Sequence, residues 1–180
     1  MILRPTRIAS VTEVVAERSR DARGAFLRSW CRDTFAAAGL DFTPVQASLS
    51  ETTHRHTLRG MHLQAPPLEE QKLVRCLRGI VFDVALDLRP SSPTRLDHVA
   101  VVLDAAVGNA VFIPRGCAHG FLTLTEDVLM EYLIDTPHVP ASARGVRWDD
   151  PAFAIPWPAV PEVMSERDRD WPDHCAPGVS

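Results

Sequence analysis

The stretch that decides the fold is Lys72-Leu-Val-Arg-Cys-Leu-Arg-Gly79-Ile-Val-Phe-Asp-Val-Ala-Leu-Asp-Leu88. Gly79 divides it into two short apolar runs, 72–77 and 80–88. The second run alternates Val81, Asp83, Ala85 and Asp87 with Phe82, Val84, Leu86 and Leu88, which is the two-residue period of a β-strand. Two such runs around Arg78-Gly79 predict a β-hairpin with a strongly buried face.

Four more short β-rich runs follow at intervals of about ten residues, and turn-forming residues separate them. They are His98–Leu103, Ala110–Ile113, Gly120–Leu124 and Val128–Ile134. Many evenly spaced strands without long alternating helices predict an all-β sandwich or barrel. One helix is expected at Cys31–Gly39, closed by Gly39 in a left-handed conformation. The proline-rich tail, residues 137–180, is expected to wrap over the barrel.

Composition bounds the class of protein. The chain has 180 residues, which predicts one domain against a prior of roughly 150 residues per domain. Lys and Arg number 19 against 23 Asp and Glu, for a net charge of −4, so a non-specific nucleic-acid binder is not expected. No apolar run approaches the roughly 20 residues of a membrane span, and the first ten residues lack the apolar core of a secretory signal.

The four cysteines are widely scattered, and no pair has CxxC spacing; they are Cys31, Cys76, Cys117 and Cys175. This pattern predicts reduced thiols in a cytoplasmic protein.

Two residue types occur once each. Eighteen of the 19 basic residues are Arg, and Lys72 is the single lysine. An ammonium is a compact point charge suited to a developing oxyanion, whereas guanidinium prefers planar oxyanions such as phosphate. Tyr132 is the single tyrosine and lies in an apolar strand. It is either a core aromatic or a proton donor that faces the barrel interior.

The densest group of polar candidates is Thr57-Leu-Arg-Gly-Met-His-Leu-Gln64. Arg59 and His62 would lie on opposite faces of a regular strand, but Gly60 permits a bulge that re-aims one of them. A second glycine-flanked histidine, His119, is expected in the barrel. Two such imidazoles could hold a metal. The usual pair of histidines two residues apart is absent here, so a metal site is the minority interpretation.

Two further segments have a structural and a functional interpretation. His54 and His56 have the spacing of metal ligands but lie in a polar stretch that is typical of a solvated loop. Ser165-Glu-Arg-Asp168 has the pattern of a capped helical turn. Its Asp168 carboxylate could also orient a histidine and raise its basicity, as general-base pairs require.

Six segments, in order along nearly the whole chain, resemble the dTDP-4-dehydrorhamnose 3,5-epimerase family. They are Asp21–Gly24, Leu58–Gln64, Lys72–Gly79, Phe82–Thr94, Ile113–Phe121 and Arg144–Pro151. The resemblance implies a double-stranded β-helix (jelly-roll, cupin-like) barrel without metal or cofactor. It also implies a homodimer with swapped N-terminal strands, within residues 1–30. The substrate class implied is a nucleotide-linked 4-keto-6-deoxyhexose, inverted at C3, C5 or both in deoxysugar biosynthesis.

The same resemblance implies a role for each matching residue. His62 would be the base with Asp168 as its partner, Tyr132 the acid, and Lys72 the group that stabilises the enolate. The residues implied in substrate binding are Arg23, Gln46, Arg59, Lys72, His119, His138 and Arg167. Arg23 and Arg59 would hold the diphosphate, with Arg23 reaching in from the other subunit.

The chain departs from the family pattern at positions implied in nucleotide recognition, whereas it retains the residues implied in proton transfer. The changed positions include Arg28, Gln46-Ala47-Ser48, His138, Ala143 and Arg167. Three alternatives therefore stay open: a 3,4-ketoisomerase on the same barrel, a barrel that binds a nucleotide sugar without turning it over, and a metal cupin.

Overall fold

The computed structural model describes residues 1–174, in which two antiparallel sheets face each other. The six-stranded sheet has the order β1-β2-β10-β7-β12-β5. Its strands are β1 (Ile2–Pro5), β2 (Thr12–Val15), β5 (Gln46–Thr52), β7 (Lys72–Arg78), β10 (Asn109–Ile113) and β12 (Val128–Ile134). The five-stranded sheet has the order β13-β6-β11-β8-β9. Its strands are β6 (Leu58–Gln64), β8 (Ile80–Asp87), β9 (His98–Asp104), β11 (Cys117–Thr123) and β13 (Ala143–Gly145).

The remaining elements are short. A separate two-stranded sheet joins β3 (Arg18–Asp21) and β4 (Gly24–Leu27). The helices are α1 (Arg32–Ala37), a 3-10 turn at Pro140–Ser142, and α2 (Glu166–Arg169). Gly39 has φ +75°, as expected at the end of the predicted helix. Cys175 lies outside the described residues. Within residues 1–174, no helix combines the length and the apolar character needed to cross a membrane.

The predicted hairpin at Arg78-Gly79 is wrong, although both of its strands exist. β7 pairs with β10 and β12 in one sheet, whereas β8 pairs with β9 and β11 in the other. Gly79, at φ +85°, turns the chain from one sheet to the facing one. Consecutive strands that alternate between facing sheets form a cupin-like jelly roll, which confirms the predicted fold class.

The main core fills the space between the sheets. Its fully buried side chains include Val74, Val81, Leu103, Val111 and Met130. Each sheet is also covered on its outer face, so both faces of the central strands are apolar. Phe35 of α1 and Phe42 cover the six-stranded sheet against Phe112, and the C-terminal segment covers the five-stranded sheet through Phe153 and Trp157.

The predicted bulge at Gly60 is present in β6. His119 of β11 pairs with His62, and Phe121 pairs with Arg59, so Gly60 and Met61 of β6 lie opposite the single residue Gly120 of β11. Gly60 has φ +143°, and a Cβ placed on it would lie 2.5 Å from the Gly120 Cα. The extra residue shifts the alternation of β6, and the His62 side chain lines the space between the sheets as a result.

Candidate active site

A cavity of about 900 Å³ opens between the two sheets at one end of the barrel. Eight of the residues singled out from the sequence line it: Arg59, His62, Lys72, His119, Tyr132, His138, Arg167 and Asp168. They come from β6, β7, β11, β12 and the C-terminal segment, and they are up to 109 positions apart in the sequence (from 59 to 168). The fold therefore gathers most of the predicted site into one cleft.

His62 and Asp168 form a hydrogen-bonded pair on one wall. His62 Nε2 lies 2.5 Å from Asp168 Oδ1, and the His62 side chain is 42% exposed while that of Asp168 is 5% exposed. Because Nε2 is occupied by the carboxylate, we assign its proton there, and Nδ1 is left as the basic nitrogen. The carboxylate of Asp168 therefore orients the imidazole through Nε2, while the His62 side chain stays accessible from the cavity.

Asp168 is held ionised by its surroundings. Burial alone would raise its pKa, but the hydrogen bond and charge of His62 and the Gly60 N–H outweigh this and lower it. The Gly60 N–H donates to Oδ2 at 3.3 Å. Ser165 Oγ accepts a hydrogen bond from the Asp168 N–H at 3.1 Å and caps α2. Ser165–Asp168 is therefore both a capped helical turn and the segment whose Asp168 carboxylate orients His62.

Tyr132 and Lys72 lie on the opposite wall, in the six-stranded sheet. In the ladder between β12 and β7, Ile134 pairs with Lys72 and Tyr132 with Val74, so Lys72 and Tyr132 are diagonal neighbours. Burial raises the pKa of Tyr132 strongly, and the charge of Asp83 adds to this while Arg59 opposes it. The phenol therefore stays protonated at neutral pH and has a proton to donate.

A second pair, His119 and Asp83, lies beside the first. His119 is the direct cross-strand neighbour of His62. Its Nε2 lies 2.8 Å from Asp83 Oδ2, with side-chain exposures of 5% and 1%. The His119 ring meets Tyr132 edge-on, with centroids 6.0 Å apart. Asp83 was not among the predicted site residues; it alternates with Val81 and Ala85, which the structure places in the main core.

Lys72 has an acidic partner that the sequence did not single out. Its Nζ lies 2.7 Å from Glu70 Oε1, and the two side chains are only 7% and 9% exposed. In the sequence Glu70 could not be told apart from its neighbour Glu69, since both precede the strand in a polar stretch.

Polar residues frame the mouth of the cavity. The Arg59 guanidinium donates to Thr52 Oγ1 at 3.1 Å and to the Glu51 carbonyl at 3.0 Å, so it bridges from β6 to β5. Arg167 stacks over the Trp171 ring, 5.1 Å from its centroid. The exposed His138 lies at the rim.

Two predicted binding residues lie outside the cavity lining. Gln46 contacts the rim residue His138, because its Oε1 accepts a hydrogen bond from the His138 backbone N–H at 3.1 Å. Arg23 lies in the turn between β3 and β4, exposed, and pairs with Asp21 at 2.6 Å. Within one chain Arg23 is therefore not part of the site.

The two barrel histidines each bind a carboxylate, and the expected loop histidines are indeed outside the barrel. His54 is exposed, and His56 Nδ1 contacts Glu162 Oε1 at 2.8 Å. Residues 1–174 contain no cluster of three or more His, Cys, Asp or Glu side chains arranged to hold a metal ion.

Comparison with known proteins places this site in context. A family profile described as dTDP-4-dehydrorhamnose 3,5-epimerase matches residues 5–175. The chain is 38% identical to a dTDP-4-dehydrorhamnose 3,5-epimerase of Sinorhizobium fredii, over 100% of this chain and 93% of the relative. It is 39% identical to a dTDP-4-dehydrorhamnose 3-epimerase of Streptomyces niveus, over 94% of this chain and 82% of the relative.

The fold agrees with these sequence matches. A crystal structure of the 3,5-epimerase of Bacillus anthracis with TDP and pyrophosphate bound superposes with a TM-score of 0.92 at 30% identity, covering 96% of this chain and 98% of the other. Sequence and structure agree over nearly the full length of the chain. It therefore belongs to the dTDP-4-dehydrorhamnose 3,5-epimerase family.

Proposed function

We propose that this protein is an isomerase that inverts a carbon next to the ketone of a nucleotide-linked 4-keto-6-deoxyhexose. One observation carries the proposal: a carboxylate-oriented imidazole and a neutral phenol face the same cavity from opposite sheets. Inversion at carbon requires this arrangement, because the proton must leave one face of the sugar and return to the other.

The chemistry balances with the residues present. The ketone acidifies the C–H bonds on its two neighbouring carbons. His62 Nδ1 takes a proton from one of them, and the electron pair of that bond moves to the carbonyl oxygen to give an enolate. The Lys72 ammonium stabilises the enolate oxygen. Tyr132 then donates its proton to the opposite face of the carbon, and the imidazolium and phenolate that remain exchange protons with solvent.

The nucleotide is proposed from the relatives. Both curated relatives are named for dTDP-linked sugars, and the B. anthracis structure contains TDP. One relative is named as a 3,5-epimerase and the other as a 3-epimerase, so C3 is common to both names. We therefore propose inversion at C3 of a dTDP-linked sugar in deoxysugar biosynthesis, and the experiment below decides whether C5 is inverted too.

A homodimer with an exchanged N-terminal region is part of the proposal. The β3–β4 hairpin pairs with no other strand among residues 1–174, and it exposes Phe26 by 73%. An isolated two-stranded hairpin is marginally stable, and an exposed aromatic on it favours a partner surface. In such a dimer Arg23, at the tip of the hairpin, would supply a cation to the diphosphate in the neighbouring site.

We also propose a reducing, cytoplasmic compartment for the protein. Support comes from Cys31, Cys76 and Cys117, which are free thiols. Burial raises the pKa of Cys76 to about 11 and that of Cys117 to about 12, so these two thiols are held in the neutral form.

Incubation of dTDP-4-keto-6-deoxyglucose with the protein in heavy water tests the proposed reaction. Deuterium is expected at C3, with inversion of that centre, and product NMR reports C5 in the same spectrum. His62→Asn is expected to abolish wash-in while dTDP still binds. His54→Asn is the matched control: His54 is exposed, and within residues 1–174 it forms hydrogen bonds through its backbone carbonyl and not through its ring.

Three outcomes would contradict the proposal. Folded wild-type protein that incorporates no deuterium at either carbon, yet binds dTDP, would be a binding barrel without turnover. A product whose keto group has moved to C3 would identify a ketoisomerase. Stoichiometric metal found by elemental analysis, together with loss of turnover on chelation, would identify a metal cupin.

A further inference from the structure

Glu70, the buried acidic partner of Lys72, has no role in the proposed reaction. Lys72 is the single lysine of the chain, and its ammonium faces the cavity. Glu70 Oε1 lies 2.7 Å from Nζ, and both side chains are more than nine-tenths buried. Among the described residues, Glu70 is the one acidic side chain within ion-pair distance of this ammonium.

The loop that carries Glu70 is fixed by hydrogen bonds on both sides of it. The Gln71 N–H donates to Asp135 Oδ1 at 2.8 Å, and Thr136 Oγ1 donates to the Glu69 carbonyl at 3.1 Å. Both partners follow directly after β12, the strand that carries Tyr132. The carboxylate therefore has a defined position relative to both residues of this wall.

Glu70 lines a neighbouring cavity of about 200 Å³ and is not part of the lining of the main cavity. His62, His138 and Arg167 line both cavities, and Arg144 lines the smaller one with Glu70. Lys72 lines the main cavity and Glu70 does not, so the lysine contacts its carboxylate partner outside the lining of the main cavity.

Two physical effects of this carboxylate oppose each other. An adjacent negative charge favours the charged form of a buried lysine, which burial alone would disfavour. The same charge weakens the field that the ammonium exerts on an enolate oxygen. Only the protonated lysine carries a positive charge that can stabilise an enolate oxygen, so a partner that favours the ammonium form supports this role.

We propose that Glu70 is a positioning residue that keeps the Lys72 ammonium charged and aimed at the carbonyl oxygen of the substrate. The expected effect on kcat rests on the proposed function, whereas the expected effect on the charge of Lys72 rests on the ion pair alone. The two can therefore be tested separately.

The other charged or titratable groups around this cavity have partners or positions of their own. On β6 and α2, His62 pairs with Asp168; on β11, His119 pairs with Asp83 of β8. The remaining groups are Tyr132 of β12, Arg59 of β6, Arg167 of α2 and the rim residue His138. Each of these is retained in the variants used below, so a change in the titration of Lys72 reports the removal of the Glu70 charge.

The single lysine makes the electrostatic test direct. Protein grown with [13C]lysine gives one Cε resonance, whose chemical shift follows the protonation of Lys72 as the pH is varied. In Glu70→Gln the midpoint of this titration is expected to fall by about one pH unit or more, since an opposite charge at this range typically shifts such a midpoint by 1–3 units. Glu69→Gln removes the same charge from the same loop and is expected to leave the midpoint in place.

Kinetics tests the catalytic consequence. In Glu70→Gln the loss of kcat is expected to grow with pH and to reach about tenfold for each unit above the new midpoint, while KM changes little. Glu70→Asp keeps a carboxylate that is one methylene shorter. It is expected to shift the midpoint in the same direction by less and to retain more of kcat.

The outcomes separate the two claims. An unchanged Lys72 midpoint in folded Glu70→Gln overturns the proposal; if Glu70→Gln does not fold, an unchanged midpoint in Glu70→Ala overturns it equally. A shifted midpoint in a protein whose wild type shows no wash-in supports the electrostatic claim and contradicts the proposed reaction. A shifted midpoint with a pH-independent loss of kcat overturns the catalytic part.

Discussion

Tyr132 is the residue at which proton removal and inversion can be separated. In Tyr132→Phe the base His62 still removes a proton from the sugar, but the donor on the opposite face is gone. Because the His62 side chain is 42% exposed, its imidazolium can exchange with solvent and return a deuteron to the face it came from. We therefore expect deuterium wash-in to continue while inversion falls by about 10²-fold or more, measured by NMR of the recovered sugar.

The volume of the side chain is almost unchanged in this variant, so loss of packing is not expected. Normal inversion in Tyr132→Phe would show that another group donates the second proton. Loss of both exchange and inversion would show that Tyr132 is needed to form the enolate.

Asp168 links catalysis to stability through its depressed pKa. The pKa of its carboxyl is lowered in the folded protein, chiefly by His62 against the opposing effect of burial. A carboxyl whose pKa is lower in the folded than in the unfolded protein stabilises the fold at any pH above its unfolded pKa, which is about 3.9 for Asp. This contribution is lost as the pH falls from that value through the folded pKa. Asp168→Asn is therefore expected to lower the Tm at pH 7, and this difference is expected to be smaller at pH 3, which lies below the unfolded value.

The same variant is expected to lower kcat by about 10²-fold or more, because an amide can donate to Nε2 and thereby favour the wrong tautomer of His62. Asp170→Asn is the matched control, since Asp170 is exposed at the end of the same helix. A Tm difference that is equal at both pH values would argue that Asp168 is not ionised in the folded protein.

At the scale of the element, α2 has only four residues, yet it carries Asp168. Ser165→Ala removes the acceptor of the Asp168 N–H and is expected to cost about 1 kcal/mol of stability, as for other N-caps. It should also lower kcat more than KM, because the turn that aims the carboxylate at His62 loosens. Ser165→Thr retains the hydroxyl acceptor and is expected to behave as wild type in chemical denaturation and in kinetics. Equal effects of Ala and Thr would assign the loss to packing and not to the cap.

The elements also show what the sequence could predict and where it could not. Alternation and turn residues located six strands of the barrel, β7 to β12, because each strand has one face toward the interior whatever its partner. No bounds were predicted from the sequence for β1, β2, β5 or β13. It failed at Arg78-Gly79, because alternation encodes faces and not pairing, and a glycine turn can join two sheets as well as two neighbouring strands. The bulge at Gly60 could be predicted, because Arg59 and His62 would lie on opposite faces of a regular strand. Both can line the same cavity only if the strand contains an extra residue between them.

The site was predicted unevenly for the same physical reason. His62, Lys72, His119, Tyr132 and Asp168 line or flank one cavity, and local motifs pointed to each of them. Asp83 and Glu70 were missed because each acts through one long-range or loop contact that no spacing in the sequence encodes.

At the scale of the whole molecule, the net negative charge contrasts with the positive charge of the arginines that line the cavity. The net charge is −4, yet the proposed substrate carries a diphosphate, and Arg59 and Arg167 line the cavity of one chain. Arg23 does not line the cavity of its own chain, and it lies on a hairpin without a further strand partner among residues 1–174. A two-fold dimer that exchanges these hairpins would bring a third cation to each mouth, since the same contact is made twice.

Complementation between two inactive chains tests this assembly. Arg23→Ala and His62→Asn chains, co-expressed with different tags, are purified through both tags so that only heterodimers remain. If Arg23 acts across the interface, one site of each heterodimer has both native residues and the other has neither, so about half of the wild-type activity is expected. If Arg23 acts within its own chain, each site carries one defect and the heterodimer stays inactive. Failure to recover any doubly tagged protein, with light scattering showing a monomer in wild type, would contradict the dimer itself.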